Sequence, residues 1–253
     1  MAGVSHDTSG TGSPIQRLRA VGTGLLLAIV AFLVGIVASV LALGLLQGVG
    51  VVLTQDDWRL YALQTVGLQG VGFGLTSLLF LKLQDRFDII NVRLPTRNDV
   101  KLAVFGVFGL LAVVLVLSAL YTQFDVQLPE TTLPGVIERQ PDTALYLIPF
   151  TILFVAPGEE LLARGVIQGR LKDAYPPIAA IVLASVVFTL GHVGNLVATP
   201  LGRALPYFAQ LFVLSLVLGW LYERSENLLV VVFVHAVYNC ITFLSQYAAA
   251  TAP

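Results

Sequence analysis

Apolar residues run through this chain in long blocks separated by short polar interludes. Uncharged runs at 20–55, 60–81, 102–124, 204–222 and 227–253 each suffice for the roughly 20 residues of a hydrocarbon crossing. Two further apolar segments hold polar groups in their interior: one from Thr143 through a double glutamate to Gly165, the other from Pro176 through His192 to Ala198. The pattern predicts seven helices in an all-α, polytopic membrane bundle. Composition agrees, since 57% of the residues are hydrophobic and 11% charged, against about 25% charged in a soluble domain.

The interludes predict orientation, because cytoplasmic loops hold the excess of Lys and Arg. Eleven basic residues (Arg17, Arg19, Lys82, Arg86, Arg93, Arg97, Lys101, Arg164, Arg170, Lys172 and Arg224) fall on the N-terminal side of the membrane, against three (Arg59, Arg139 and Arg203) on the other. The N-terminus is therefore expected in the cytoplasm and the C-terminus outside. Residues 1–20, with Ser, Thr, Gly and His6, lack the apolar core of a signal peptide and read as a disordered cytoplasmic tail. Segment 125–142 carries Asp125, Glu130, Glu138 and Asp142 with Pro129, Pro134 and Pro141, a loop composition. It separates three supporting helices in 21–124 from a four-helix catalytic core in 143–250. Three lysines against eleven arginines, with abundant Val, Gly and Ala, suit a GC-rich prokaryotic gene and hence a prokaryotic cell membrane.

A charged group at the centre of a spanning helix costs about 2.5–3.5 kcal/mol, so intramembrane charges pair or work. Residues four apart share a helix face, which pairs Glu160 with Arg164 as a buried structural couple. Glu159 points about 100 degrees away and is free to face a water-filled cavity as a general base. Phe188 precedes His192 by one turn and restrains its imidazole. A lone histidine on an apolar helix is commonly a hydrogen-bonded core residue, yet the only other one beyond the tail, His235, is also intramembrane. His235 and Asn239 lie one turn apart on one face, a pair of donors suited to a developing oxyanion. The single cysteine, Cys240, excludes an intramolecular disulfide and any Cys-based metal cluster and reads as a filler in the last helix.

Taken together, Glu159-Glu160-x-x-x-Arg164, Phe188-x-x-x-His192 and His235-x-x-x-Asn239, in that order, resemble the CAAX-protease and bacteriocin-processing family, which includes the Ras-converting CAAX endopeptidase. The resemblance covers about residues 143–245, and Leu221-Tyr222-Glu223-Arg224 looks like the family's loop before its last motif. It implies a glutamate-dependent intramembrane endopeptidase in which Glu159 and His192 activate water while His235 and Asn239 stabilise the oxyanion. It also implies a lipidated or membrane-bound peptide substrate, prenylated in the CAAX reaction, with the bilayer as surroundings and no nucleic-acid partner.

Zinc held by Glu159, His192 and His235 is the alternative. A metal-free site is favoured, because no H-E-x-x-H motif is present and Asn239 beside His235 suits an oxyanion better than the outer shell of a metal. Serine and aspartyl intramembrane proteases fit less well, for want of a G-x-S-G motif or a membrane aspartate pair. A transporter, which would use the same residue types, lacks support from repeats or paired broken helices, and a non-enzymatic binding or immunity protein is the remaining class. One geometric condition follows. Glu159 and His235 lie about 10 Å from the cytoplasmic side at 1.5 Å per residue, whereas His192 is sixteen residues beyond Pro176. Either the fifth helix begins outside the membrane, with Asp173 to Ala180 interfacial, or the fourth reaches deeper. The former is expected.

Overall fold

A computed structural model describes residues 12–129, 132–196 and 199–252. Among them the regular structure is all helical: α1 (Pro14–Gly48), α2 (Trp58–Gln84), α3 (Arg97–Gln123), α4 (Thr132–Arg139), α5 (Asp142–Lys172), α6 (Pro177–Leu190), α7 (Leu201–Ser225) and α8 (Leu228–Thr251). Six of these are long and apolar enough to cross a membrane, and α6 is a shorter apolar helix. Large apolar side chains such as Leu26 and Leu33 on α1 and Phe105 and Phe108 on α3 point outward, as expected of surfaces facing lipid. The protein is a multi-pass membrane protein.

Several boundaries differ from the sequence expectation. Helix α1 begins at Pro14, within the stretch read as tail, because Ser13 and Gln16 form a capping box at its start; residues 1–11 lie outside the described residues. The short α4 interrupts the expected loop at 125–142. The Leu221-Tyr222-Glu223-Arg224 phrase is the last turn of α7 rather than a loop, with Lys172 Nζ pairing with Glu223 at 2.8 Å.

Small residues draw α1 and α2 together, as is usual where helices meet in lipid. A Cβ added to Gly72 would fall 2.5 Å from the Ala31 carbonyl oxygen, and one on Gly35 would fall 2.7 Å from Leu68 Cα. Wide π-helical turns interrupt α2 at Val66–Leu75 and α5 at Thr151–Val155 and Leu161–Gln168. In α5, Pro149 and Pro157 each remove a backbone donor from the ladder. Such bulges re-aim side chains and are frequent at functional sites; here they bracket the double glutamate.

The depth condition is met by α5. It continues to Lys172, seven residues past the expected Gly165, which places Glu159 about 20 Å from that end and His192 about 22 Å from the start of α6. The two depths agree by helix length alone, wherever along Asp173 to Ala180 the interface falls. Arg164 is consequently a buried helical residue and leaves the loop tally, with no change in the sense of the charge asymmetry. The start of α8 also lies inside the protein: Asn227 is fully buried, its Nδ2 donates to the Arg93 carbonyl at 3.0 Å, and Leu228 N donates to the Asn91 carbonyl at 2.8 Å.

Candidate active site

The site is organised around Pro157-Gly158-Glu159-Glu160 on α5. Gly158 has no side chain because α2 passes directly against it; a Cβ there would collide with the backbone carbonyl of Gln69. This close approach lets Gln69 Nε2 reach Glu159 Oε1 at 3.5 Å. The supporting half of the chain thus adds a side chain to the site.

Glu160 and Arg164 form the expected internal pair, with Arg164 Nε 3.2 Å from Glu160 Oε2 and both side chains almost wholly buried. The guanidinium also donates to Ser215 on α7, to its carbonyl at 3.1 Å and its Oγ at 3.0 Å, and stacks 4.8 Å from the centre of the Phe188 ring on α6. One arginine therefore joins three helices. The other oxygen of Glu160 reaches α8, where His235 Nδ1 lies 2.7 Å from Oε1.

That contact extends the role expected of Glu160. A carboxylate accepts, so Nδ1 of His235 carries the proton, and the opposite nitrogen, Nε2, is turned towards Glu159 Oε2 at 3.9 Å. The gap is too long for a hydrogen bond. His235 is buried, whereas Asn239 one turn along lines an open cleft. His192 lies just beyond the end of α6, its ring 4.8 Å from that of Phe188. Its Nδ1 is 2.9 Å from the Phe188 carbonyl, which can only accept, so Nδ1 holds the proton and Nε2 is left as an acceptor.

The cleft has a volume of about 790 Å³, and Gln69, Glu159, His192 and Asn239 all line it. A smaller apolar cavity walled by Phe32, Phe73 and Phe188 adjoins the same Glu159 and His192. The structure thus brings Glu159, Glu160, Arg164, Phe188, His192, His235 and Asn239 into one neighbourhood. Gln69 and Ser215 were not singled out from the sequence. Gln69 lies among glycines in a mainly apolar block, five residues after Gln64, and could have been noticed as an intramembrane amide; nothing distinguishes Ser215. Cys240 is a free, half-buried thiol.

Charged and polar side chains thus meet inside an apolar helical bundle of a multi-pass membrane protein. Residues 141–241 match the protein-family model described as Rce1-like, type II CAAX prenyl endopeptidase. The matched segment runs from the residue before α5 to two residues beyond Asn239 and includes all three motifs. No curated protein and no solved structure gives a significant match.

Proposed function

We propose that the protein is an intramembrane endopeptidase of the cell membrane, in a prokaryote, that hydrolyses peptide bonds of lipidated or membrane-bound substrates with Glu159 as general base. The observation that carries this reading is the meeting of Glu159, His192 and Asn239 on one cleft between otherwise apolar helices. With His235 protonated at both nitrogens, the buried cluster of Glu159, Glu160, Arg164 and His235 is electrically neutral, which suits a low-dielectric setting.

In the proposed reaction His192 Nε2 accepts a hydrogen bond from the attacking water, and Glu159 takes the water's proton as oxygen adds to the scissile carbonyl carbon. The tetrahedral oxyanion accepts from Asn239 Nδ2 and from His235 Nε2, whose N–H is not spent on Glu159. Glu159 then returns the proton to the departing nitrogen as the C–N bond breaks. Donors fixed in advance around a developing negative charge supply much of the rate enhancement in many hydrolases.

The zinc alternative fits the geometry poorly. Among the described residues no group of three His, Cys, Asp or Glu side chains is placed to hold a metal. No step is therefore assigned to a metal.

The test is turnover by purified protein on a panel of lipidated and unlipidated peptides, with and without a chelator. Glu159→Gln should preserve size and fold while abolishing hydrolysis, since a carboxamide cannot take up the proton at neutral pH. Intact turnover in that variant would sink the mechanism. Stoichiometric zinc, lost together with activity in His192→Ala, would replace it with the metal-dependent version.

A further inference from the structure

Helices α3 and α7 run antiparallel. At one end Arg93, just before α3, donates to the Ser225 carbonyl at 2.8 Å, and at the other the Tyr121 hydroxyl donates to the Pro206 carbonyl at 2.8 Å. Between these ties the two helices leave an apolar groove of about 340 Å³, whose walls include Phe105, Gly106 and Gly109 of α3 with Val217, Trp220 and Leu221 of α7. None of its lining residues belongs to the cleft at Glu159.

Two glycines make the groove. A Cβ added to Gly106 would fall 2.6 Å from Leu221 Cδ1, so the helices meet closely there, whereas one added to Gly109 would find nothing within 4 Å. A larger side chain at 109 would therefore occupy the space without displacing a neighbour. Phe105 and Trp220 form the lips, 72% and 47% exposed, and no charged side chain is among the described lining residues. Walls of this kind give water no partner and offer contact to a hydrocarbon chain.

One turn beyond the groove, both helices become cationic on the same faces. Lys101 precedes Phe105 by four residues and Arg224 follows Trp220 by four, the spacing that puts side chains on one helix face. The guanidinium of Arg224 lies 5.6 Å from the centre of the Trp220 ring, which fixes it at the end of the groove. Lys101 and Arg224 are both exposed, and neither pairs with a carboxylate among the described residues. The neighbouring acids are engaged elsewhere: Asp99 with Arg93, Glu223 with Lys172 at 2.8 Å, and Glu226 in the wall of a separate cavity beside the loop after α2. Tryptophan concentrates at the headgroup level of a bilayer, so the two cations stand where a lipid phosphate would. A guanidinium matches phosphate oxygens with paired N–H donors, and an ammonium adds a point charge.

We propose that this groove binds one anionic glycerophospholipid, with an acyl chain lying over Gly106 and Gly109 and the phosphate between Lys101 and Arg224. A neutral lipid would fill the apolar part and leave the cations uncompensated. A second copy of the chain, related by a two-fold axis along the membrane normal, would set the same cations against each other at the cost of like-charge repulsion. Basic pockets between membrane helices are suited to such headgroups, and the site does not depend on the peptidase reading.

The test uses Trp220 as its own reporter. The chain has two tryptophans, so Trp58→Phe leaves Trp220 alone, and the protein is reconstituted into phosphatidylcholine vesicles containing lipids with brominated, fluorescence-quenching chains. Brominated phosphatidylglycerol should half-saturate the quenching at a mole fraction about tenfold below that of phosphatidylcholine brominated in the same way, a discrimination within reach of two surface cations. Lys101→Gln combined with Arg224→Gln should bring the two lipids close to parity. Gly109→Leu should abolish the saturable quenching while leaving the unfolding temperature unchanged, since its side chain fills the groove without a clash. Equal quenching by the two lipids would make the groove ordinary lipid-facing surface and overturn the proposal, as would a preference that survives the double variant or a Gly109→Leu protein that still shows it. Disulfide formation between two copies of Gly109→Cys, in a Cys240→Ala background, would assign the groove to a second copy and overturn it as well.

Discussion

The Nδ1 atom of His235 lies 2.7 Å from Oε1 of Glu160, so the carboxylate that pairs with Arg164 also aims an imidazole at Glu159. Glu160 and Arg164 should therefore answer differently to mutation. Glu160→Gln keeps the shape but removes the charge that orients and balances the His235 imidazolium; kcat should fall by up to about 10⁴-fold, the loss seen when a carboxylate that orients a catalytic imidazole becomes an amide. Arg164→Ala instead leaves Glu160 buried without its cation, at a cost of about 3–5 kcal/mol, and should appear chiefly as lost folded protein. Thermal unfolding in detergent, read beside kcat, separates the two. Well-folded but inactive Arg164→Ala protein would make the arginine part of the chemistry.

Asn239 stands on the open side of the site, where it can act only on what the cleft admits. If its amide donates to the oxyanion, Asn239→Ala should bind peptide normally and lose on the order of 100- to 1000-fold in kcat, the range for removing one such donor. A rise in KM with kcat unchanged would instead give Asn239 a role in uniform binding.

The close contact of α2 with α5 predicts a mutational contrast. Gly158→Ala forces a methyl group into the Gln69 backbone, and overpacking of this kind costs about 1–3 kcal/mol. Gln69→Ala removes only a long side-chain contact to Glu159 and should keep stability within about 1 kcal/mol. Both should reduce turnover, but only the glycine variant should lower the unfolding temperature clearly. Unchanged stability in Gly158→Ala would show that the two helices can part without cost.

How much of this was legible in the sequence follows from the range of each signal. Apolar block length is local, and it located all seven apolar segments; the three motifs are local as well, and they named the polar residues that meet at Glu159. The continuation of α5 was hidden because Arg170 and Lys172 resemble the start of a loop, although a helix can carry them past the membrane. The early end of α6 was hidden for the opposite reason, since the apolar run continues through Val193 after the helix has stopped. Gln69 depends on tertiary approach, for its partner is ninety residues away, and no spacing rule in one chain reports that. The π-helical turns that bracket Glu159 and Glu160 leave no periodic trace, because prolines such as Pro157 mark a disturbed helix without saying how it is disturbed.

The pair between Asp173 and Arg86 ties the turn after α5 to the loop after α2, outside the spans, and carries a pH dependence of definite sign. Burial alone would raise the Asp173 carboxyl, but hydrogen bonds from Arg86 and Arg170 outweigh it and hold the group below the usual carboxylate range. A carboxyl lowered in this way adds stability that is complete above its unfolded value, about 3.9, and is lost as pH falls through the lower folded value. Both side chains remain about one-third exposed, at 27% and 32%, so solvent screening limits the contribution to about 0.2–1 kcal/mol. Asp173→Asn should therefore cost that small amount at pH 7 and nothing at a pH below the folded value, and the difference should shrink in high salt. Unfolding temperatures of both proteins measured from pH 7 downward would show the two curves converging; a gap that stays constant with pH would mean that Asp173 acts through packing rather than charge.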